Sequence, residues 1–212
     1  MSGAHWLILG GGGLRALVAT ALIVREHQAR EVAILHVRDG RPGGVPRAEH
    51  ARLQAEHFGI KRFEEQALPS LFGPDPARAA GTPQGPMMRA AHLLGAGVAH
   101  AALRSVDRVL WPTSCNAEAQ PAAVATEQML LVGQLAGLEA ATAPRIEAPL
   151  LELADTQVIE LGSQLGVPWE LARSCLLGGA DACRACSACL RRKHAFARAG
   201  IDDPIEKPMP AA

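Results

Sequence analysis

The stretch LILGGGGLRALVATAL, residues 7–22, decides how the rest of the chain is read. His5 to Leu9 is apolar enough for a strand. Four glycines follow, Gly10 to Gly13. Leu14, Leu17, Val18, Ala21 and Leu22 then recur on one helical face. Strand, glycine turn and helix is the layout of a phosphate cradle, because bare amides and a helix N-terminus both favour an anion. The loop has no Ser, Thr, Lys or Asp, and its first charged side chain is Arg15. Two readings stand. Either the amides hold a phosphate with Arg15 assisting, or the glycines only let strand and helix pack closely.

Outward from this stretch the same alternation continues. Glu31 to Val37 reads as a second strand, and Pro46 as the first residue of the helix that follows. A weak strand spans Arg62 to Leu68. Residues 69–86, rich in Pro and Gly, read as an exposed, mobile connection. Arg89 to Leu103 is a small-residue helix and Val106 to Pro112 a strand. Ala122 to Leu138 is a helix, and RIEAPL from Arg145 a strand. Asp155 to Leu165 forms a helix stopped by Gly166 and Pro168. Ser187 to Ala199 is the last helix, closed by Gly200. Strands alternating with helices predict an α/β, Rossmann-like parallel sheet with helices on both faces. Right-handed crossovers gather the carboxyl-end loops on one edge. The expected division is residues 1–166 as a nucleotide-binding domain and 167–212 as a small helical metal-binding segment packed on it.

The 212 residues carry 21 basic and 21 acidic side chains, a formal net charge of zero. That balance gives no ground for a nucleic-acid or anionic-membrane partner. No apolar run reaches the ~18 residues of a membrane span, and the start lacks a basic leader, so a cytoplasmic protein is expected.

Five cysteines in a reducing compartment favour metal ligands or free thiols over disulfides. SCLLGGADACRACSACLRRKHAF, residues 174–196, holds Cys183, Cys186 and Cys189 as C-x2-C-x2-C, with Cys175 eight residues upstream. Four thiolates complete a closed tetrahedral zinc site, which has no open position and is therefore structural. Bacterial iron–sulfur runs continue to a fourth Cys followed by Pro, where this chain has Lys193 and His194. Arg184, Arg191, Arg192 and Lys193 either form a positive rim for an acidic ligand or balance the zinc–thiolate charge, and balance is the preferred reading. Cys115 stands apart from the cluster. His36 reads as structural, and His92 and His100 share a helix face without a third ligand. Trp111 and Trp169 read as packing residues rather than purine platforms.

Glycine loop and cysteine cluster together resemble one family, the 7-cyano-7-deazaguanine synthases of queuosine biosynthesis, which are PP-loop ATP pyrophosphatases. The C-terminal half carries most of the likeness: IEAPLLEL, then VIELGSQLGVPWELARSCLLGG, then ACRACSACLRRKHAFARAGIDDP. The resemblance implies an adenine nucleotide alpha hydrolase-like fold, structural zinc on Cys175, Cys183, Cys186 and Cys189, ATP with Mg²⁺, a nucleotide or deazapurine ligand, and a homodimer. It also implies a reaction. ATP activates a 7-deazaguanine carboxylate as an adenylate, ammonia gives the amide, and a second ATP drives dehydration to the nitrile. By position, Leu9, Gly10, Gly11, Gly12, Gly13, Leu14 and Arg15 would hold the cofactor, and Arg89, Asn116 and Glu118 the substrate.

This chain departs from the family pattern at chemical positions. The loop S-G-G-x-D-S falls on Gly11 to Ala16, so both serines are lost and the aspartate is Arg15. V-P-G-R-N keeps Arg89 but ends in Ala90. G-x-N-x-E-D keeps Asn116 and Glu118 but ends in Ala119. A family lysine falls on Asp155. The alternative to a synthase is therefore a zinc-stabilised relative without catalysis, acting as a binding or scaffold protein.

Overall fold

The computed structural model describes residues 4–38, 43–68, 89–116, 118–139 and 142–206. Five parallel strands form one sheet in the order β3-β2-β1-β4-β5: β1 Trp6–Leu9, β2 Val32–Arg38, β3 Arg62–Ala67, β4 Arg108–Leu110 and β5 Arg145–Glu147. β1 lies at the centre, and all four of its residues are buried, as a strand covered on both faces requires. β3, at one edge, has the sequence RFEEQA and is mostly exposed.

Among the described residues, six α-helices accompany the strands: α1 Leu14–Glu26, α2 Gly44–His57, α3 Arg89–Leu103, α4 Ala119–Glu139, α5 Asp155–Gln164 and α6 Ser187–Ala199. Alternating side chains of β1 feed two cores. Trp6 and Ile8 join Leu17, Val18, Val158, Ile159, Trp169 and Phe196 on the face covered by α1, α5 and α6. Leu7 and Leu9 join Leu35, Leu94, Val98 and Val109 under α3 and α4. The expected doubly covered sheet is therefore present.

Differences from the sequence reading are local. α2 begins at Gly44, two residues before Pro46, so the proline occupies the first turn without opening it. β4 is three residues long; the Trp111 amide still bonds the Glu147 carbonyl of β5, and the Trp111 carbonyl then accepts the Thr113 amide in a tight turn. Residues 69–86 lie outside the described residues. Among the described residues, no helix is long and apolar enough to cross a membrane.

The C-terminal segment is held together by a buried ion pair. Arg192, 2% exposed, sends Nε and Nη2 to the two carboxylate oxygens of Asp203, each at 2.7 Å. Its remaining donors reach the Ala172 and Trp169 carbonyls. Arg192, read from sequence as a rim or zinc-balancing charge, is paired with Asp203. Trp169 is buried, with its ring edge-on to Phe196 at 5.3 Å and Nε1 donating to Ser163 Oγ. Packing is thus its role, as expected.

Candidate functional site

In this strand order β1 leads outward to β2 in one direction and β4 follows in the other. The switch point lies between β1 and β4, where open α/β sheets place ligands. Two loops meet there, Gly10–Gly13 after β1 and Trp111–Glu118 after β4.

The glycine loop is held by its carbonyls. His36 Nδ1 donates to Gly10 O at 2.7 Å, so this buried histidine is structural. Arg47 Nε donates to Gly11 O at 2.9 Å, and the Arg173 amide to Gly12 O at 2.8 Å. Gly13 O accepts the Leu17 amide. By contrast, the amides of Gly11, Gly12 and Gly13 have no hydrogen-bond partner among the described residues. Gly12 has φ +66°, and a Cβ there would lie 2.1 Å from the Arg47 carbonyl oxygen. Only glycine fits that position. Gly13 caps α1 with no side-chain hydrogen bond, so the helix N-terminus is uncapped.

Beside the loop lies a cleft of about 190 Å³. Among the described residues, five arginines line it, Arg15, Arg47, Arg173, Arg191 and Arg192, and one carboxylate, Asp155. Arg15 grips that carboxylate: Nη2 lies 2.5 Å and Nε 3.2 Å from Oδ1. The two positions at which the family pattern has Asp and Lys are thus in contact here as Arg and Asp. Relative to that pattern the signs of the two side chains are reversed, and in this chain they attract. Asn116 joins them, its Oδ1 accepting the Asp155 amide at 3.2 Å. Its φ of +54° is a left-handed conformation that asparagine tolerates.

The sequence-derived binding residues divide accordingly. Gly11, Gly13, Leu14 and Arg15 line the cleft, while Gly10 and Gly12 shape the loop beneath it. Leu9 is buried in the core under α3 and α4. Asn116 and Glu118 are exposed on the β4 loop, and only Asn116 touches the Arg15–Asp155 pair. The side chain of Arg89 lies outside the described residues. Cys115 is half-buried, and burial pushes its thiol up against the opposing field of Arg15. His100 contacts Glu64 at 3.5 Å, and burial, then Arg104, lowers its pKa. Arg47 and Arg173 were not singled out from sequence. They lie far along the chain from the loop, and nothing in their local sequence signals the contact.

The second site is the cysteine cluster. Cys175, Cys183, Cys186 and Cys189 bring their sulfurs within 4.8 Å of one another. Cys183 Sγ and Cys189 Sγ are 3.9 Å apart. Metal–sulfur bonds of about 2.3 Å in a tetrahedron put sulfurs about 3.8 Å apart. The four residues can therefore hold one metal ion. Cys186 caps α6, and amides of Leu177 and Cys183 point at Cys175 Sγ. Burial opposes ionisation of Cys186, but amides of Leu176 and Cys189 and the thiols of Cys189 and Cys183 together hold it at about 6. Burial, then the hydrogen bond to Cys186, pushes Cys189 up to about 12. The Leu176 carbonyl also accepts the Gly43 amide, which ties the cluster to the start of α2.

The fold and switch-point loop define the class: a PP-loop-type α/β protein. Two solved structures share the fold. One is the U34-tRNA thiolase of Methanococcus maripaludis with its [4Fe-4S] cluster, at TM-score 0.52 and 15% identity over 76% of this chain and 56% of that one. The other is the NMN synthetase of Francisella tularensis, also at TM-score 0.52 and 15% identity, over 99% and 90%. Residues 91–200 match the family described as queuosine biosynthesis protein QueC, and the chain belongs to that family. A 7-cyano-7-deazaguanine synthase from Methanothermobacter thermautotrophicus is 29% identical over 92% of this chain and 95% of that protein. Its counterpart in Chlorobaculum parvum is 28% identical over 94% and 95%. A synthase from Nostoc is 52% identical, but over 60 residues, 28% of this chain and 26% of that protein.

Proposed function

We propose that this chain is a 7-cyano-7-deazaguanine synthase-like protein that holds a nucleotide by its phosphate at the Gly10–Gly13 loop. One observation carries this: the loop's carbonyls are bonded inward, while the amides of Gly11 to Gly13 and an uncapped helix N-terminus open beside an arginine-lined cleft. The near-full-length relatives support the synthase reading. In that reaction ATP activates a 7-deazaguanine carboxylate and ammonia displaces AMP. This chain's residues would bind and orient, with the loop amides on phosphate oxygens and arginines stabilising negative charge.

Magnesium fits the cleft poorly. Among the described lining residues its one carboxylate is Asp155, whose Oδ1 already accepts both Arg15 bonds. That pair also favours the second reading, a family member that binds the nucleotide without turning it over. Incubation with ATP, Mg²⁺, 7-carboxy-7-deazaguanine and ammonium decides between them. AMP and nitrile would establish the synthase. Nucleotide binding without AMP would establish the binding protein, and the absence of both would refute the proposal.

Zinc suits the cysteine cluster, since sulfurs all within 4.8 Å surround one ion better than a cubane whose four irons each take a separate thiolate. Residues 167–212 would then be a zinc-braced segment packed on residues 1–166. A homodimer is supported by α4, whose Val124, Leu130, Leu131, Leu135 and Leu138 are each at least half exposed. Glu127 and Glu139 are the only charges on α4, so a second copy of the same apolar face suits it better than a charged partner.

A further inference from the structure

We propose that the arginine-lined cleft is a metal-independent anion site, taking the phosphate of a nucleotide or other phosphate monoester without a divalent cation. The inference rests on the reading of the glycine loop as a phosphate cradle, and it specifies the form of the ligand.

The main-chain half of the site is the set of open amides at Gly11, Gly12 and Gly13, at the uncapped start of the 13-residue α1. A helix N-terminus alone would not define a site. Arg173 supplies the independent observation. It is 8% exposed and lines the cleft, and its own amide is bonded to Gly12 of the loop. Its Nη1 donates to the Ala180 carbonyl and its Nη2 to those of Gly179 and Asp181. Its Nε is buried with no hydrogen-bond partner. The acceptors around this guanidinium are uncharged carbonyls, so its positive charge is solvated but not neutralised. A buried donor of this kind is rare in the absence of a ligand or water.

The donor set then sets the metal dependence. Magnesium at phosphate sites is held by one or two carboxylates together with phosphate oxygens and water. Among the described residues, Asp155 is the one carboxylate of the lining, and its Oδ1 receives both Nη2 and Nε of Arg15. Arg47, Arg173 and Arg191 complete the rim. Guanidinium groups therefore supply the positive charge a metal would bring, in the fork geometry that suits phosphate oxygens. Arg15 also stands in the first turn of α1, at the positive end of the helix dipole, where a cation is unfavourable unless an anion is near. Asp155 meets part of that need and a bound phosphate would meet the rest. Magnesium complexed to ATP removes charge from the ligand and adds like charge to the site. It should leave affinity unchanged or lower it.

The test is calorimetric titration of the metal-loaded full chain with AMP, ATP and inorganic phosphate, in magnesium-free buffer and again with millimolar Mg²⁺. AMP and ATP should bind without Mg²⁺, and ATP should bind no more tightly with it. Arg173→Met should weaken binding at least tenfold. Because Arg173 is buried, the exposed Arg191→Ala serves as a second variant, expected to weaken ATP several-fold at an unchanged melting temperature. The re-inverted pair R15D/D155K should make ATP binding respond to Mg²⁺. Binding that requires Mg²⁺, or tightens tenfold with it, overturns metal independence but leaves the nucleotide reading in place. No binding of any of the three under either condition overturns both.

Discussion

Replacing Arg192 with methionine should unfold this protein more readily than almost any other single change. Both members of the pair are withdrawn from water, with side chains 1% exposed for Arg192 and 4% for Asp203. The guanidinium makes two 2.7 Å bonds to the carboxylate and also serves the Ala172 and Trp169 carbonyls. Methionine fills similar space but donates nothing. Asp203 would keep only the Ile205 amide at 3.2 Å, and two buried carbonyls would lose a donor. Removing one partner of a buried pair costs about 3–5 kcal/mol. At about 2–4 °C per kcal/mol for a chain of this size, the melting temperature should fall by roughly 6–20 °C. Urea unfolding and calorimetry on metal-loaded protein would measure both. The double variant R192M/D203L should recover most of the loss, because neither charge is then buried alone. A single-variant loss below about 1 kcal/mol, or a double variant at least as unstable as the sum of the singles, would refute this account of the tail's attachment.

Gly162→Ala should destabilise by about 1–3 kcal/mol despite alanine's better helix propensity. The new Cβ would lie 2.3 Å from the Trp169 ring and 2.7 Å from Val18; a stabilised variant in thermal melts would contradict the packing. Metal analysis should find one zinc per chain, lost in Cys186→Ser. Zinc binding near neutral pH should release fewer than four protons, measured by titration in buffers of different ionisation heat. Cys186, held at about 6, is already largely a thiolate there, whereas Cys189 at about 12 must give up its proton. Release of all four would count against these ionisation states. Leu135→Glu on α4 should shift the mass in light scattering from dimer to monomer without lowering the melting temperature; a monomeric parent protein would dispose of the interface.

Much of this molecule was legible along the chain. Glycines between an apolar run and an apolar-periodic segment fix a strand–turn–helix, because period and turn chemistry are local properties. The bounds of α3 and α6 fall at Arg89–Leu103 and Ser187–Ala199, as the small-residue run and the closing Gly200, at φ +67°, indicate. The cysteine spacing likewise named four ligands whose sulfurs do converge. Partners of buried charges could not be read this way. Arg192 sits in a basic run with nothing beside it to show that Asp203 would fold back onto it. Arg15 and Asp155 each look like the loss of a functional residue, and only their contact across 140 positions shows that the two changed side chains pair with each other. Arg173 and the glycine loop meet for the same reason. Electrostatic pairing depends on distance in space, and that distance is set by how α1, α5 and the tail pack over one face of the sheet.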